Sequence, residues 1–300
     1  EISMRKIQQN FNIFKHHFLK ALSILFSILS AVLLLISREE FGINSVCRAI
    51  MVFAITFIIA IADAILVTCF YRKKEVFDSG HGKLILKYDD LWRIAFPKHR
   101  SCFRPKNKRI VVVSVNTTFD TLVDTELSTV KKPLVSANTM HGQWVMEMQK
   151  HNVNVAALND AIQKNLECQE IKPVKRLNHS QKSRGNLSCF GKGTIAVYKY
   201  DNTIFYLLAL SEFDENNNAQ STKNELIETI ERLIAYYDNY GQGYDLYIPL
   251  LGTGMSRTDV TPNEALQIIV SYFKIYKSKI HGNVSIVVYK KQRDAIPLDI

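Results

Sequence analysis

Residues Arg109 to Thr121 read RIVVVSVNTTFDT, an almost uninterrupted apolar run that ends in a polar turn. Consecutive Val and Ile residues over one strand length are typical of a central β-strand that is buried on both faces of its sheet. Strands of this kind occur in α/β proteins, in which helices cover both faces. The run therefore predicts an α/β domain with a functional edge at the polar strand end.

Toward the C-terminus, helical and strand-like segments alternate. Thr194 to Tyr200 and Thr203 to Leu210 flank Asp201-Asn202, which is a predicted hairpin turn. Apolar residues at helical spacing predict a helix over Lys223 to Tyr240. Thr261, followed by Pro262 and Glu264, is a typical start of a second helix.

Two further strands are predicted at Tyr244 to Leu251 and at Asn283 to Tyr289, and we expect the last one to close the sheet. The predicted fold class is α/β, with a three-layer domain and a mixed sheet over residues 109–300. About 190 residues are enough for one independent core.

Toward the N-terminus lie two long apolar runs, ALSILFSILSAVLLLIS (Ala21 to Ser37) and AIMVFAITFIIAIADAILVTCFY (Ala49 to Tyr71). Each approaches or reaches the roughly 20 residues that a membrane-spanning helix needs. A cleaved signal peptide is disfavoured, because no small-residue cleavage site precedes Arg38-Glu39-Glu40 and a second run follows at once. We predict a two-helix transmembrane hairpin over residues 19–72.

Charges around this hairpin predict its orientation. Basic residues precede and follow it: Arg5, Lys6, Lys15, Lys20, Arg72, Lys73 and Lys74. The positive-inside rule then places both termini in the cytoplasm, with the hairpin in the cell inner membrane. The net charge of +10 follows the same pattern. Residues 1–105 carry 15 basic and 8 acidic residues, whereas residues 106–300 carry 38 − 15 = 23 basic and 28 − 8 = 20 acidic residues. The predicted soluble domain lacks the basic surplus typical of nucleic-acid-binding proteins.

The remaining boundaries are a cytoplasmic segment over residues 1–18 and a connector over residues 73–108. Trp92, Phe96 and Phe103 lie among basic residues of the connector. They are expected at the lipid headgroups or packed on the soluble domain, and we prefer the second. The five cysteines show no paired spacing, so no metal site is predicted.

Asp63 interrupts the second apolar run, where a lone charge costs about 2.5–3.5 kcal/mol on insertion scales. We expect a partner for it. The partner is either a hydroxyl inside the hairpin, from Ser23, Ser27 or Ser30, or a polar lining formed when several hairpins assemble.

Gly252 to Arg257 read GTGMSR and follow the predicted strand YIPLL. Glycines let backbone N–H groups approach phosphate oxygens, and Thr253 and Ser256 add hydroxyl donors. The loop lacks the lysine of a P-loop, so nucleotide hydrolysis is not indicated. A purely structural turn is the alternative.

Three segments together resemble the macro domain, a family that binds ADP-ribose: SVNTTFDT (Ser114 to Thr121), NTMHGQWV (Asn138 to Val145) and GTGMSR. The resemblance covers about residues 109–290. It implies that the first segment meets adenosine and the distal ribose, and that the other two are the phosphate loops. The first phosphate loop is reduced to Gly142, and a second Asn in the first segment is not plainly present. A Gly-rich first loop and a second Asn are features of macro-domain hydrolases, so their absence here argues against hydrolysis more than against binding.

Each site residue has a functional and a structural interpretation. Asp120 either accepts a hydrogen bond from the adenine amino group or caps a following helix. Asn116 and Thr117 contact ribose or satisfy their own turn. His141 is expected to be exposed and to bind a phosphate or a conjugated group, and Arg257 to pair with diphosphate. Trp144 is expected in the core rather than as a ligand platform.

The predicted ligand-binding residues are Asn116, Thr117, Asp120, His141, Gly142, Gln143, Gly252, Thr253, Gly254, Met255, Ser256 and Arg257.

A membrane hairpin joined to such a domain resembles the effector family of bacterial Thoeris antiphage systems. That resemblance implies a non-enzymatic effector without a cofactor, whose ligand is an ADP-ribose derivative such as histidine–ADP-ribose. The implied partners are the lipid bilayer, further copies of the chain, and a TIR-domain enzyme whose diffusible product is the signal. Assembly and membrane disruption then cause abortive infection. The alternatives are a membrane-anchored ADP-ribose hydrolase and an adaptor that reads ADP-ribose without assembling.

Overall fold

A computed structural model describes residues 7–8, 10–35, 46–97, 107–124, 134–213, 219–220, 222–252, 260–293 and 295–299. The helices are α1 (Phe11–Leu35), α2 (Val46–Phe70), α3 (Leu91–Ala95), α4 (Met140–Lys150), α5 (Val155–Cys168), α6 (Lys223–Tyr240) and α7 (Pro262–Ile275). The strands are β1 (Lys73–Asp78), β2 (Lys83–Asp89), β3 (Arg109–Asn116), β4 (Val123–Asp124), β5 (Val135–Ser136), β6 (Lys175–Arg176), β7 (Ser188–Cys189), β8 (Ile195–Tyr200), β9 (Thr203–Phe213), β10 (Ala219–Gln220), β11 (Asp245–Pro249) and β12 (Val284–Tyr289). Two compact units contain these elements, residues 75–290 and residues 1–74 with 291–300.

The larger unit is built on a mixed sheet with the order β1-β2-β12-β11-β3-β9-β10, and β8 also pairs with β9. The neighbours from β2 to β9 are parallel, whereas β8 and β10 run antiparallel to β9. The predicted α/β class and mixed sheet are therefore confirmed.

Strand β3 is buried on both faces, which is why its sequence shows no polar alternation. Val111, Val113 and Val115 belong to a core with α4 and α5, while Ile110 and Val112 are equally buried and point to the opposite face. On that opposite face Tyr206 of β9 meets Tyr236 of α6 edge-on, with ring centroids 5.1 Å apart. Helices thus cover both faces and make three layers.

One predicted sheet boundary is wrong. β12 does not close the sheet, because β2 pairs with it in parallel on its other side, with Val284 opposite Leu84. The sequence pattern does not predict this strand, because it contains the charged residues Lys83, Lys87 and Asp89. The three residues after Lys83 are nevertheless buried: Leu84, Ile85 and Leu86. The segment expected to be a connector therefore contributes strands to the sheet. Trp92 and Phe96 pack against the core, and Phe103 lies outside the described residues.

The smaller unit contains two apolar helices, α1 and α2, each long and apolar enough to cross a membrane. They pack on each other through Phe18 and Phe57, whose ring centroids are 5.2 Å apart. Ala60, Ala64 and Thr68 recur on the buried side of α2 at four-residue spacing, and small side chains let two helices approach closely.

Asp63 lies on the exposed side of α2. Ser23, Ser27 and Ser30 are exposed on α1, and the Ser27 hydroxyl bonds to the carbonyl of Ser23 instead. The expected partner inside the hairpin is therefore wrong for the described part of the chain.

The C-terminal tail (residues 291–299) packs with the two helices. Arg293 donates from Nη2 to the carbonyls of Thr68, Cys69 and Tyr71, at the C-terminal end of α2. Asp299 accepts from the backbone N–H of Asn12, in the first turn of α1, at 3.1 Å. The first contact adds a donor for carbonyls at and just beyond the end of α2, and the second provides an acceptor for a first-turn N–H of α1, which has no partner within its helix. The tail's Ile296 and Leu298 are fully buried.

Candidate functional site

The turn after β3 is held together by Asn116. Its Oδ1 accepts from the Asp120 backbone N–H at 3.0 Å, and its Nδ2 donates to Asp120 Oδ2 at 2.8 Å. Thr117 is also buried, with its hydroxyl 3.4 Å from Cys189 Sγ. Both ends of the Asn116 amide serve the turn itself, so the geometry favours the local interpretation of Asn116 and Thr117.

Asp120 is the polar centre of this region and is almost fully buried. Its Oδ2 accepts from Lys182 Nζ at 2.6 Å, Thr118 Oγ1 at 2.6 Å and Asn116 Nδ2 at 2.8 Å. Its Oδ1 accepts from the Asn186 backbone N–H at 2.7 Å. The helix-cap interpretation is wrong for the described residues, because the chain continues from Asp120 into β4.

Lys182 and Asn186 come from the β6–β7 loop (residues 177–187). A second ion pair anchors this loop, since Arg184 binds both carboxylate oxygens of Asp124 at 3.0 and 2.9 Å. The same bidentate contact lowers the pKa of Asp124. Two buried or half-buried ion pairs thus hold the loop over the end of β3.

A cavity of about 480 Å³ lies between this loop and the N-terminus of α5. It is lined by Asp120, Thr121, Leu122, Val155, Ala156, Asn159, Gly185 and Asn186. Its size lies within the range of small-ligand sites, and its lining combines the apolar side chains of Leu122, Val155 and Ala156 with polar groups.

The segment predicted as the first phosphate loop forms the start of α4. Thr139 caps this helix by accepting from the Gly142 backbone N–H at 3.0 Å. A Cβ on Gly142 would lie 2.2 Å from the Ser136 carbonyl oxygen, so close packing alone requires glycine there. Gln143 is exposed and accepts from Trp92 Nε1 at 3.1 Å.

His141 is buried, contrary to the expected exposure. Loss of solvent lowers its pKa to about 4, against the smaller opposing influence of Asp120. The side chain is turned inward under the Asp120 turn, where it hydrogen-bonds to the Asp120 backbone. The ring is therefore neutral at physiological pH and does not act as a cation for phosphate.

This burial predicts an acid-sensitive fold. The pKa of His141 is near 6.5 in the unfolded chain and about 4 in the folded one. Its contribution to the free energy of unfolding is therefore fully present above pH 6.5 and is lost as the pH falls toward 4. The full contribution is about 3 kcal/mol, at 1.36 kcal/mol per pKa unit. In chemical unfolding of residues 75–290, His141→Gln should flatten the stability curve across this window. An unchanged slope in the variant would assign the acid sensitivity to other groups.

The predicted second phosphate loop is described only at its start. Gly252 lies in a turn after β11 with φ 78°, a conformation that favours glycine. Because β11 and β3 are parallel neighbours, this turn lies at the same edge of the sheet, the C-terminal ends of its parallel strands, as Asn116 and Asp120. Thr253, Gly254, Met255, Ser256 and Arg257 lie outside the described residues.

Trp144 is fully buried in the core and packs edge-on against Phe205 at 5.7 Å between ring centroids. Its predicted place in the core is confirmed. Lys182, Gly185, Asn186 and Asn159 were not predicted. Asn159 lies in α5, and the other three lie in the β6–β7 loop. That loop shows only the turn-forming composition Ser183 to Asn186, and nothing in it reveals contacts with a strand end more than 60 residues away.

Comparisons with known proteins agree with this architecture. Residues 103–289 match the family described as "Thoeris protein ThsA, Macro domain". The chain is 25% identical over 204 residues to Thoeris protein ThsA of Bacillus amyloliquefaciens (strain Y2), covering 66% of this chain and 63% of that protein.

Among solved structures, the chain is similar to the Oceanobacillus iheyensis macrodomain with ADP. The TM-score is 0.39 at 9% identity, over 74% of this chain and 91% of that one. The same macrodomain with MES bound gives a TM-score of 0.38 at 9% identity, over 74% and 90% of the two chains.

Proposed function

The chain belongs to the family of Thoeris ThsA macro domains, and on that premise we propose that it is a membrane-bound antiphage effector gated by an ADP-ribose-derived signal. The observation that carries the proposal is the union in one chain of an apolar helix pair and a macro domain with a cavity at Asp120. In this proposal the hairpin spans the inner membrane, with both termini in the cytoplasm.

The adenosine part of the signal enters the cavity beside Asp120. Asp120 Oδ1 accepts one protein hydrogen bond among the described residues, and a carboxylate oxygen has room for a second, from an adenine amino group. The diphosphate extends toward Gly252 and the following loop, where Thr253, Gly254, Met255, Ser256 and Arg257 bind it. Histidine–ADP-ribose is the proposed form of the signal, and a TIR-domain enzyme its proposed source.

The chain acts by binding rather than by turnover. Asp120 is the one ionisable side chain that lines the described cavity, and its hydrogen bonds to Lys182, Thr118 and Asn116 hold it fixed. A carboxylate tied in this way is suited to recognition rather than to moving a proton. The alternatives remain an ADP-ribose hydrolase and a membrane adaptor.

Signal binding drives assembly of several hairpins if the signal binds the assembled state more tightly than the resting one. The exposed Asp63 supports this step, because assembly gives a carboxylate on the outer side of α2 polar neighbours instead of lipid. The assembled hairpins then disrupt the membrane, and the infected cell dies or stops growing.

The test compares three proteins in cells that make the signal: the full chain, residues 75–290, and the full chain with Arg257→Ala. The full chain should cause leakage and growth arrest, residues 75–290 should bind signal without toxicity, and Arg257→Ala should weaken binding and protect the cells. Death caused by residues 75–290 would refute the membrane effector. Turnover of the signal would favour the hydrolase, and binding without a change of oligomer size in detergent would favour the adaptor.

A further inference from the structure

Lys182 forms a buried ion pair with Asp120 at 2.6 Å, with 13% and 1% of the two side chains exposed. Its ammonium group also donates to Thr118 Oγ1 at 2.9 Å and to the Asn186 carbonyl at 2.8 Å. An ammonium group has three donors, and each of them has an acceptor here. The side chain is therefore held in one position, directly behind the carboxylate that lines the cavity.

The two oxygens of Asp120 have different surroundings. Oδ2 is occupied by Lys182, Thr118 and Asn116, whereas Oδ1 takes only the Asn186 N–H among the described residues. Oδ1 also faces Gly185 on the cavity wall, since a Cβ there would lie 2.3 Å from it. Lys182 thus balances the charge of the carboxylate from the Oδ2 side, and Oδ1 lies on the side of Gly185 and Asn186, which line the cavity.

We propose that Lys182 is a positioning residue that sets the purine preference of the cavity, by balancing the charge of the Asp120 carboxylate and holding it so that Oδ1 accepts from an amino group and disfavours a carbonyl. The inference rests on the proposed function, because it places the adenosine part of the ligand beside Asp120. The recognised group is the exocyclic amine of adenine, and the rejected one is the carbonyl oxygen of hypoxanthine.

The physical reason is the cost of a buried charge. An ionised carboxylate is costly to bury without a counter-charge. Without Lys182, Asp120 keeps only the neutral donors of Thr118, Asn116 and Asn186 among the described residues, so its protonated form becomes less unfavourable than in the wild-type chain. A protonated carboxyl group carries an O–H donor, which suits the hypoxanthine carbonyl and no longer suits the adenine amine. Removal of the Lys182 charge should therefore change which base is preferred, beyond any loss of affinity.

The experiment uses the full chain in detergent and measures calorimetric affinities for ADP-ribose and for its hypoxanthine counterpart, inosine diphosphate ribose. The wild-type chain should prefer ADP-ribose by roughly 10- to 100-fold, which is the value of one hydrogen bond to a charged group. Lys182→Met should reduce this ratio to near one or invert it, and Lys182→Arg should keep it because the charge remains.

Arg184→Met is the matched control, because it removes the other ion pair of the same loop without touching Asp120. Any loss of affinity in this variant should be equal for the two compounds, so that the ratio of their affinities stays unchanged. If Lys182→Met fails to fold, Lys182→Gln against Lys182→Arg makes the same comparison with the hydrogen-bonding capacity partly kept. An unchanged affinity ratio in Lys182→Met or Lys182→Gln overturns this inference and leaves the proposed function standing. A wild-type chain that binds neither compound, or both equally, overturns the placement of adenosine and the inference with it.

Discussion

Replacement of Gly185 by alanine is expected to weaken the binding of ADP-ribose derivatives by roughly one to two orders of magnitude, while the core of the domain persists. Gly185 has φ 79°, and a Cβ would lie 2.3 Å from Asp120 Oδ1 and 2.9 Å from Leu134 Cδ1. The left-handed conformation costs an alanine about 1–2 kcal/mol. Loss of a hydrogen bond to a charged acceptor costs about 1.5–3 kcal/mol more. The backbone cost lowers stability in the free and bound protein alike, whereas the lost hydrogen bond lowers affinity, by roughly 10- to 100-fold at tenfold per 1.4 kcal/mol.

Gly80→Ala is the matched control for this variant. Gly80 also has a positive φ of 89°, but no atom lies within 4 Å of the Cβ that the substitution adds. It lies in the turn between β1 and β2 and does not line the cavity. Calorimetry should therefore show normal binding for Gly80→Ala, with a comparable small loss of stability. Normal binding by a folded Gly185→Ala protein would refute the assignment of the cavity.

The second large effect is expected for Trp144→Ala, which should destabilise the domain by about 3–5 kcal/mol, the usual cost of truncating a buried aromatic side chain. Trp144 is fully buried, and its ring packs against Phe205 of β9 and Tyr198 of β8. Domains are typically stable by only about 5–15 kcal/mol, so this variant should unfold at a much lower denaturant concentration.

Trp144→Phe should cost clearly less. It keeps most of the ring volume, and it removes an indole N–H that has no acceptor among the described residues. Denaturant unfolding of residues 75–290 measures both variants, with ligand affinity as the second readout. A Trp144→Ala protein with normal stability and lost binding would show that the ring is a ligand platform and not part of the core.

The layered fold was predictable because its signals are local. The uninterrupted apolar run of β3 predicts burial on both faces, and the Thr261 and Glu264 pair predicts the start of α7, where the structure shows both hydrogen bonds of a capping box. β2 was missed because Lys83, Lys87 and Asp89 mask a short buried strand whose partner, β12, lies about 200 residues away.

The candidate site was predictable only in part, for the same reason. Asp120 follows its strand directly, so sequence proximity identifies it. Lys182 and Asn186 reach it through a loop 62 and 66 residues further along the chain, and local patterns carry no information about such contacts. The inward orientation of His141 likewise depends on how α4 packs, which periodicity in an 11-residue helix does not determine.

The location of the C-terminal tail decides how the protein should be divided for study. The chain enters the larger unit at residue 75, leaves it at residue 290 and then returns to the smaller unit, so in chain order the larger unit is an insertion within the smaller one. A fragment made by removing only the N-terminal helices would retain Ile296 and Leu298, which are buried here, without the rest of their unit. We expect these two aliphatic side chains, once exposed, to promote self-association that is independent of the signal. Residues 75–290 avoid this artefact, and an affinity tag is better inserted at residue 290 of that fragment than at the end of the full chain.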